Sequence, residues 1–127
     1  MKVRLYGKNI GITTSMEVLV NKKLVLPIGR LLSNIDVKTN VQCDIEIRKR
    51  SVRNADIEWL CEAQVTVPER RLPIRVSAVG ASLEAAINEA KDGIERRIKK
   101  FKGKRQTRTL RGARRAKEAL RMRKRIS

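Results

Sequence analysis

Five cations fall within seven residues of one stretch, Arg96, Arg97, Lys99, Lys100 and Lys102 in the run ERRIKKFK. Such side chains ordinarily do no covalent chemistry at neutral pH; they bind anions, phosphates above all. Groups that would do covalent work are scarce. The chain has no histidine, which removes the commonest general base and the commonest metal ligand together. Its two cysteines, Cys43 and Cys61, stand in strand-like segments without metal-ligand spacing. No Gly-rich phosphate loop occurs, and no carboxylate pair in an apolar setting. The pattern is that of a binding protein and not an enzyme, with no cofactor, no metal and no small-molecule substrate.

What must position those cations is a helix over 82–102. Leu83, Ala86, Ile87, Ala90, Ile94, Ile98 and Phe101 recur at steps of three and four, which places them on one helical face. Ser82 can cap the first turn, and Glu84 suits the positive end of the helix dipole. Cations near a helix C-terminus are stabilised by about 0.3–1 kcal/mol each, which accounts for some of the cluster. Five so close also repel one another. The excess fits a polyanionic partner.

The rest of the chain supplies a platform. Lys2 to Lys8 alternates, with Val3 and Leu5 inward and Lys2, Arg4, Tyr6 and Lys8 outward, a first strand. Thr13 or Thr14 can cap a helix carried by Met16, Val20, Leu24, Ile28 and Leu31 and closed by Asn34. Pro27 interrupts it, and a kink is expected near Leu26. Asp36 to Ile47 and Asp56 to Val67 are strands with apolar residues on odd numbers, joined by the basic connection RKRSVRNAD. Leu72, Ile74, Val76 and Ala78 give a fourth strand on the even phase, with Pro73 near its start. Cys43, Cys61 and Trp59 share the inward phase and read as core.

This order, β-α-β-β-β-α, predicts an α+β two-layer domain, a four-stranded sheet with both helices on one face. The first two strands should be parallel and the remainder antiparallel hairpins.

The 127 residues carry 31 Lys and Arg against 13 Asp and Glu, net +18. Residues 1–102 hold 20 of the cations and 12 acids, net +8; residues 103–127 hold 11 cations and one acid, net +10. Two parts are expected, a domain over 1–102 and a basic tail over 103–127. The tail has good helix propensity but few apolar residues and strong self-repulsion, so it is expected to be disordered or fraying until it meets a polyanion. No apolar run reaches the length of a signal peptide or a membrane span, which points to the cytoplasm and away from a membrane.

Three stretches, VRLYGKNI, VNKKL and AAINEAKDGIERRIKKFK, in this element order, resemble the ribosome hibernation-promoting factors and the related ribosome-associated translation inhibitors. The resemblance covers roughly residues 1–102. It implies a protein that lodges on the rRNA of the small ribosomal subunit, in the mRNA and tRNA sites, and silences an idle ribosome. Carried over to this chain, the family's basic contacts fall on Lys8, Lys22, Lys23, Arg96, Arg97, Lys99, Lys100 and Lys102. The candidate RNA contacts continue into Lys104 and Arg105. The chain departs from the family at Gly93, and its basic tail stands where long members carry a dimerisation domain. A short form, monomeric off the ribosome, is the expectation. The rival is a double-stranded RNA-binding domain, whose α-β-β-β-α order is contained in this one. That fold grips its duplex with lysines at the start of the last helix, and here that start is the acidic ASLEAAINEA.

Overall fold

Alternation in four segments builds the sheet. In the computed structural model the backbone is described for residues 1–36, 40–53, 56–68 and 70–126, and within these the side chains of all but 34–36, 105–116 and 118–126. The strands are β1 (Lys2–Lys8), β2 (Gln42–Ser51), β3 (Ile57–Thr66) and β4 (Ile74–Gly80), in the spatial order β1-β2-β3-β4. β1 and β2 run parallel, and β2–β3 and β3–β4 are antiparallel, as the connections predict. The register aligns the apolar residues in rows across the sheet. Leu5 faces Ile45, Ile45 faces Ala63, and Ala63 faces Val76. The row beside it joins Val3, Cys43, Val65 and Ile74.

Both helical segments bury their apolar stripes on that face. Val20, Leu24, Ile28 and Leu32 from the first, and Ala86, Ile87, Ala90, Ile94 and Ile98 from the last, join the inward strand residues in one core. The predicted two-layer α+β fold is the observed one. Several boundaries differ. β2 begins at Gln42 and not near Asp36, which ends the preceding helix, and it runs on to Ser51 through the first four residues of the basic connection. Residues 37–39 of the expected strand lie outside the described residues. Leu72 is left 68% exposed ahead of β4 because Pro73 stands between it and the first paired residue. Val3 is 44% exposed, since β1 is an edge strand with a neighbour on one side only.

The first helical segment passes Pro27 without stopping. It comprises α1 (Thr14–Val20), a π turn (Asn21–Val25) and α2 (Leu26–Asp36). Thr13 caps it, its Oγ1 accepting from the Met16 N–H at 3.2 Å. Just before Leu26, where a kink is expected, there is a wider turn, with the Leu26 N–H donating to the Asn21 carbonyl five residues back. Two causes act together. Proline lacks the N–H that an α-helix would donate to the Lys23 carbonyl, and its ring crowds that carbonyl. The buried residues Val20, Leu24, Ile28 and Leu32 also recur at steps of four, which drift by about 40° per step in a 3.6-residue helix. A wider turn absorbs part of that drift and keeps the stripe on the sheet.

The last helix, α3 (Leu83–Ile126), begins where expected, with the Ser82 Oγ accepting from the Ala85 N–H at 3.1 Å. It has no break at Lys102, the boundary drawn from composition, and its backbone is helical to Ile126. Gly103 costs about 1 kcal/mol in a helix, but the Lys, Arg, Gln, Ala and Leu around it are good formers. The core closes sooner: Ile98 is the last fully buried residue among those described, and Phe101 packs against the edge of the cluster.

Candidate nucleic-acid interface

α3 leaves the core over the edge strand β4, and the approach is close. A Cβ on Gly93 would stand 2.8 Å from the Val76 Cγ1, so only glycine lets the helix lie this near the strand. That accounts for a residue which helix propensity alone disfavours. One turn further on, the helix turns its cations towards the exposed side of β4.

Two hollows flank this crossing. One of about 420 Å³ is lined by Arg75, Val76, Ser77, Gly93, Arg96, Arg97 and Lys100. The other, of about 300 Å³, is lined by Arg70, Arg97, Lys100, Phe101 and Lys104. Sharing Arg97 and Lys100, they form one groove with an apolar floor at Val76 and Phe101 and cations along its rim. The Arg97 Nη1 donates to the Arg75 carbonyl at 2.7 Å, which pins the guanidinium to the strand. Arg75 pairs with Glu62 on β3, and Arg96 Nε donates to the Asp92 carbonyl at 3.4 Å. Among the described residues no carboxylate forms an ion pair with Arg96, Arg97, Lys99, Lys100 or Lys104. Their charge faces solvent, held by a rigid helix. Such a groove can take several phosphates of a polyanion at once.

Of the residues expected to touch RNA, Arg96, Arg97, Lys100 and Lys104 gather here. Lys99 is exposed and Lys102 half-buried on the same helix, and neither lines the groove. The side chain of Arg105 lies outside the described residues. Lys8 ends β1, at the opposite edge of the sheet from β4. Lys22 and Lys23 lie in the π turn, where Lys22 is exposed. Lys23 already has partners: its Nζ is 3.1 Å from Glu84 Oε1 and 3.5 Å from Asn88 Oδ1, tying the π turn to the start of α3. The expected set is therefore split over three places.

Arg70 and Arg75 belong to the groove and escaped the sequence reading. Arg75 is the outward residue between Ile74 and Val76, and Arg70 stands in the turn before the strand. Their own patterns read as solvated surface; the signal lies in the packing of α3 over β4.

The start of α3 carries Glu84, paired with Lys23, and shows no cation cluster of the kind a duplex-gripping helix would present. Cys43 and Cys61 are buried, and they are not cross-strand partners, Cys43 facing Val65 and Cys61 facing Ile47. Burial pushes their thiols up to about 11 and about 12. Neither can supply a thiolate nucleophile near neutral pH. Among the described residues no helix is long and apolar enough to cross a membrane.

Comparison with known proteins bears on the family and the fold. Residues 3–106 match the family described as Sigma 54 modulation protein / S30EA ribosomal protein. A ribosome hibernation promotion factor of Deinococcus radiodurans is 33% identical over 99 residues, covering 78% of this chain and 48% of that protein. The chain thus spans about half the length of this curated relative. The N-terminal domain of Protein Y from Thermus thermophilus superposes with a TM-score of 0.59 at 28% identity, over 80% of this chain and 99% of that one. A ribosomal subunit interface protein from Coxiella burnetii has the same fold, with a TM-score of 0.59 at 16% identity over 81% of this chain and 99% of its own. The matched span takes in the sheet from Val3 on, the first helical segment, and α3 with its groove residues as far as residue 106, and on it the chain belongs to the Sigma 54 modulation protein / S30EA ribosomal protein family.

Proposed function

We propose that this protein is a cytoplasmic ribosome hibernation factor. It binds the rRNA of the small ribosomal subunit where mRNA and tRNA pass, and it holds an idle ribosome silent. The observation that carries this is the groove between α3 and β4, where Arg75 on β4, Arg96, Arg97, Lys100 and Lys104 on α3, and Arg70 in the turn before β4 come together. Family membership supplies the kind of polyanion. Inhibition on this reading needs no covalent step. A rigid body that matches a folded RNA channel in shape excludes the other occupants of that channel. The chain acts as a monomer off the ribosome, and residues 103–127 add affinity through charge.

If the six groove cations each engage a phosphate, log K falls with log[salt] at a slope of roughly −4 to −5. Co-sedimentation with purified small subunits across a salt series reads that slope. Arg96→Glu with Lys100→Glu is expected to abolish binding at physiological ionic strength and to relieve inhibition of peptide synthesis. Unchanged binding by that variant, or full translation by ribosomes saturated with the wild-type protein, would overturn the proposal.

A further inference from the structure

A second group of cations lies at the far end of the sheet from the groove. β2 and β3 extend into the hairpin, and the parallel register sets Lys8 of β1 opposite Arg48 of β2. Arg50 pairs through its Nε with Glu58 Oε2 at 2.5 Å. That bond holds the guanidinium in place and leaves its two terminal nitrogens as an open fork. The Lys49 Nζ stands 5.0 Å from the centroid of the Trp59 ring, a cation–π contact at the border of the core. Arg53 is exposed at the hairpin tip.

This end is separate from the groove. Arg75 registers with Gln64 on β3, and Arg50 with Glu58. Six residues of strand are about 20 Å. Between the two ends the open face of the sheet carries Asp44, Glu46 and Glu62 beside Arg4, with Glu46 paired to Arg48 and Glu62 to Arg75, so the middle of the face has no excess of cations to hold a phosphate backbone. A surface that is basic at both ends and charge-balanced between them suits two contacts with a folded RNA better than one continuous track.

We propose that the β2–β3 hairpin end, with Lys8, Arg48, Lys49, Arg50 and Arg53, is a second RNA-contact surface. It takes phosphates on its arginines and lysines, Lys8, Arg48 and Arg50 from the open face of the sheet and Lys49 from the helix face. This rests on the ribosome-binding reading above, and it makes the protein a bridge between two RNA segments.

The test uses the full chain and three proteins: wild type, Lys8→Gln/Lys49→Gln/Arg53→Gln, and Arg96→Gln/Lys100→Gln. The first variant leaves the Arg48–Glu46 and Arg50–Glu58 pairs intact, alters only exposed residues and gives up one contact, Lys49 over Trp59, so its melting temperature should stay within a few degrees of wild type. In co-sedimentation with small subunits it is expected to bind about five- to tenfold more weakly, with a salt slope shallower by about 2. Trp59 is the sole tryptophan, so its emission during titration with protein-free small-subunit rRNA reports on the hairpin end. That response should survive in the Arg96/Lys100 variant at saturating RNA. Wild-type affinity and slope in the hairpin variant would overturn the second surface. If the groove variant then still fails to bind, the hibernation reading stands without it; if both variants bind as wild type, both proposals fall.

Discussion

Among the described residues the two cysteines carry the sharpest pH dependence. Their thiols titrate at about 11 and about 12 when folded, because burial disfavours the thiolate, against an ordinary value near 9. Above pH 9 the unfolded chain therefore loses protons that the folded chain keeps, and stability falls as pH rises towards the folded values. Each thiol should contribute a slope of about 1.4 kcal/mol per pH unit between pH 9 and 11. Urea melts at pH 8, 9, 10 and 10.5 check this, and a Cys43→Ala/Cys61→Ala variant should show a flatter decline than wild type. At pH 8 both thiols should react with a thiol reagent only as fast as the protein unfolds. The same phase that marks them as core in the sequence thus sets their chemistry. Lys23 shows the opposite case: the family resemblance marks it for RNA, but Glu84 and Asn88 claim it, and only the fold brings those residues within reach.

At the scale of elements, Gly93 is where helix and strand decide each other. Gly93→Ala should gain about 1 kcal/mol of helix propensity. It also drives a methyl to 2.8 Å from the β-branched Val76, and overpacking of this kind costs about 1–3 kcal/mol. The expected net effect is destabilisation of about 1 kcal/mol. Adding Val76→Ala should remove the clash, so that Gly93→Ala becomes stabilising in that background; thermal melts of the four proteins decide it. Equal effects of Gly93→Ala with and without Val76 would show that the contact is not the cause. Periodicity reveals strands and helices because a one-sided sheet imposes a period of two and a covering helix a period near 3.6. Alternation in β2, β3 and β4 and the stripe of α3 were legible for that reason. The π turn was not, because steps of four at Val20, Leu24 and Ile28 look like any amphipathic helix. The groove was half legible: its helical cations cluster in sequence, whereas Arg70 and Arg75 join them only through packing.

For the whole molecule, the core closes at Ile98 and Phe101, well before the tail. A chain ending at Gly103 is therefore expected to keep its melting temperature within a few degrees. It should still bind small subunits, about tenfold or more weakly at physiological salt and with a shallower slope, because up to 11 cations are removed with residues 104–127. Loss of all binding on truncation would move the principal site from the groove to the tail. The bond from Arg97 to the Arg75 carbonyl has a further consequence on this scale. β4 borders the sheet, and a bare border invites the strand of another molecule to add on and the stack to grow. With a guanidinium seated on its backbone and like charge crowding the approach, that side resists such stacking. A solution of the protein should for this reason stay dispersed on long standing, where a bare β4 border would let it cluster.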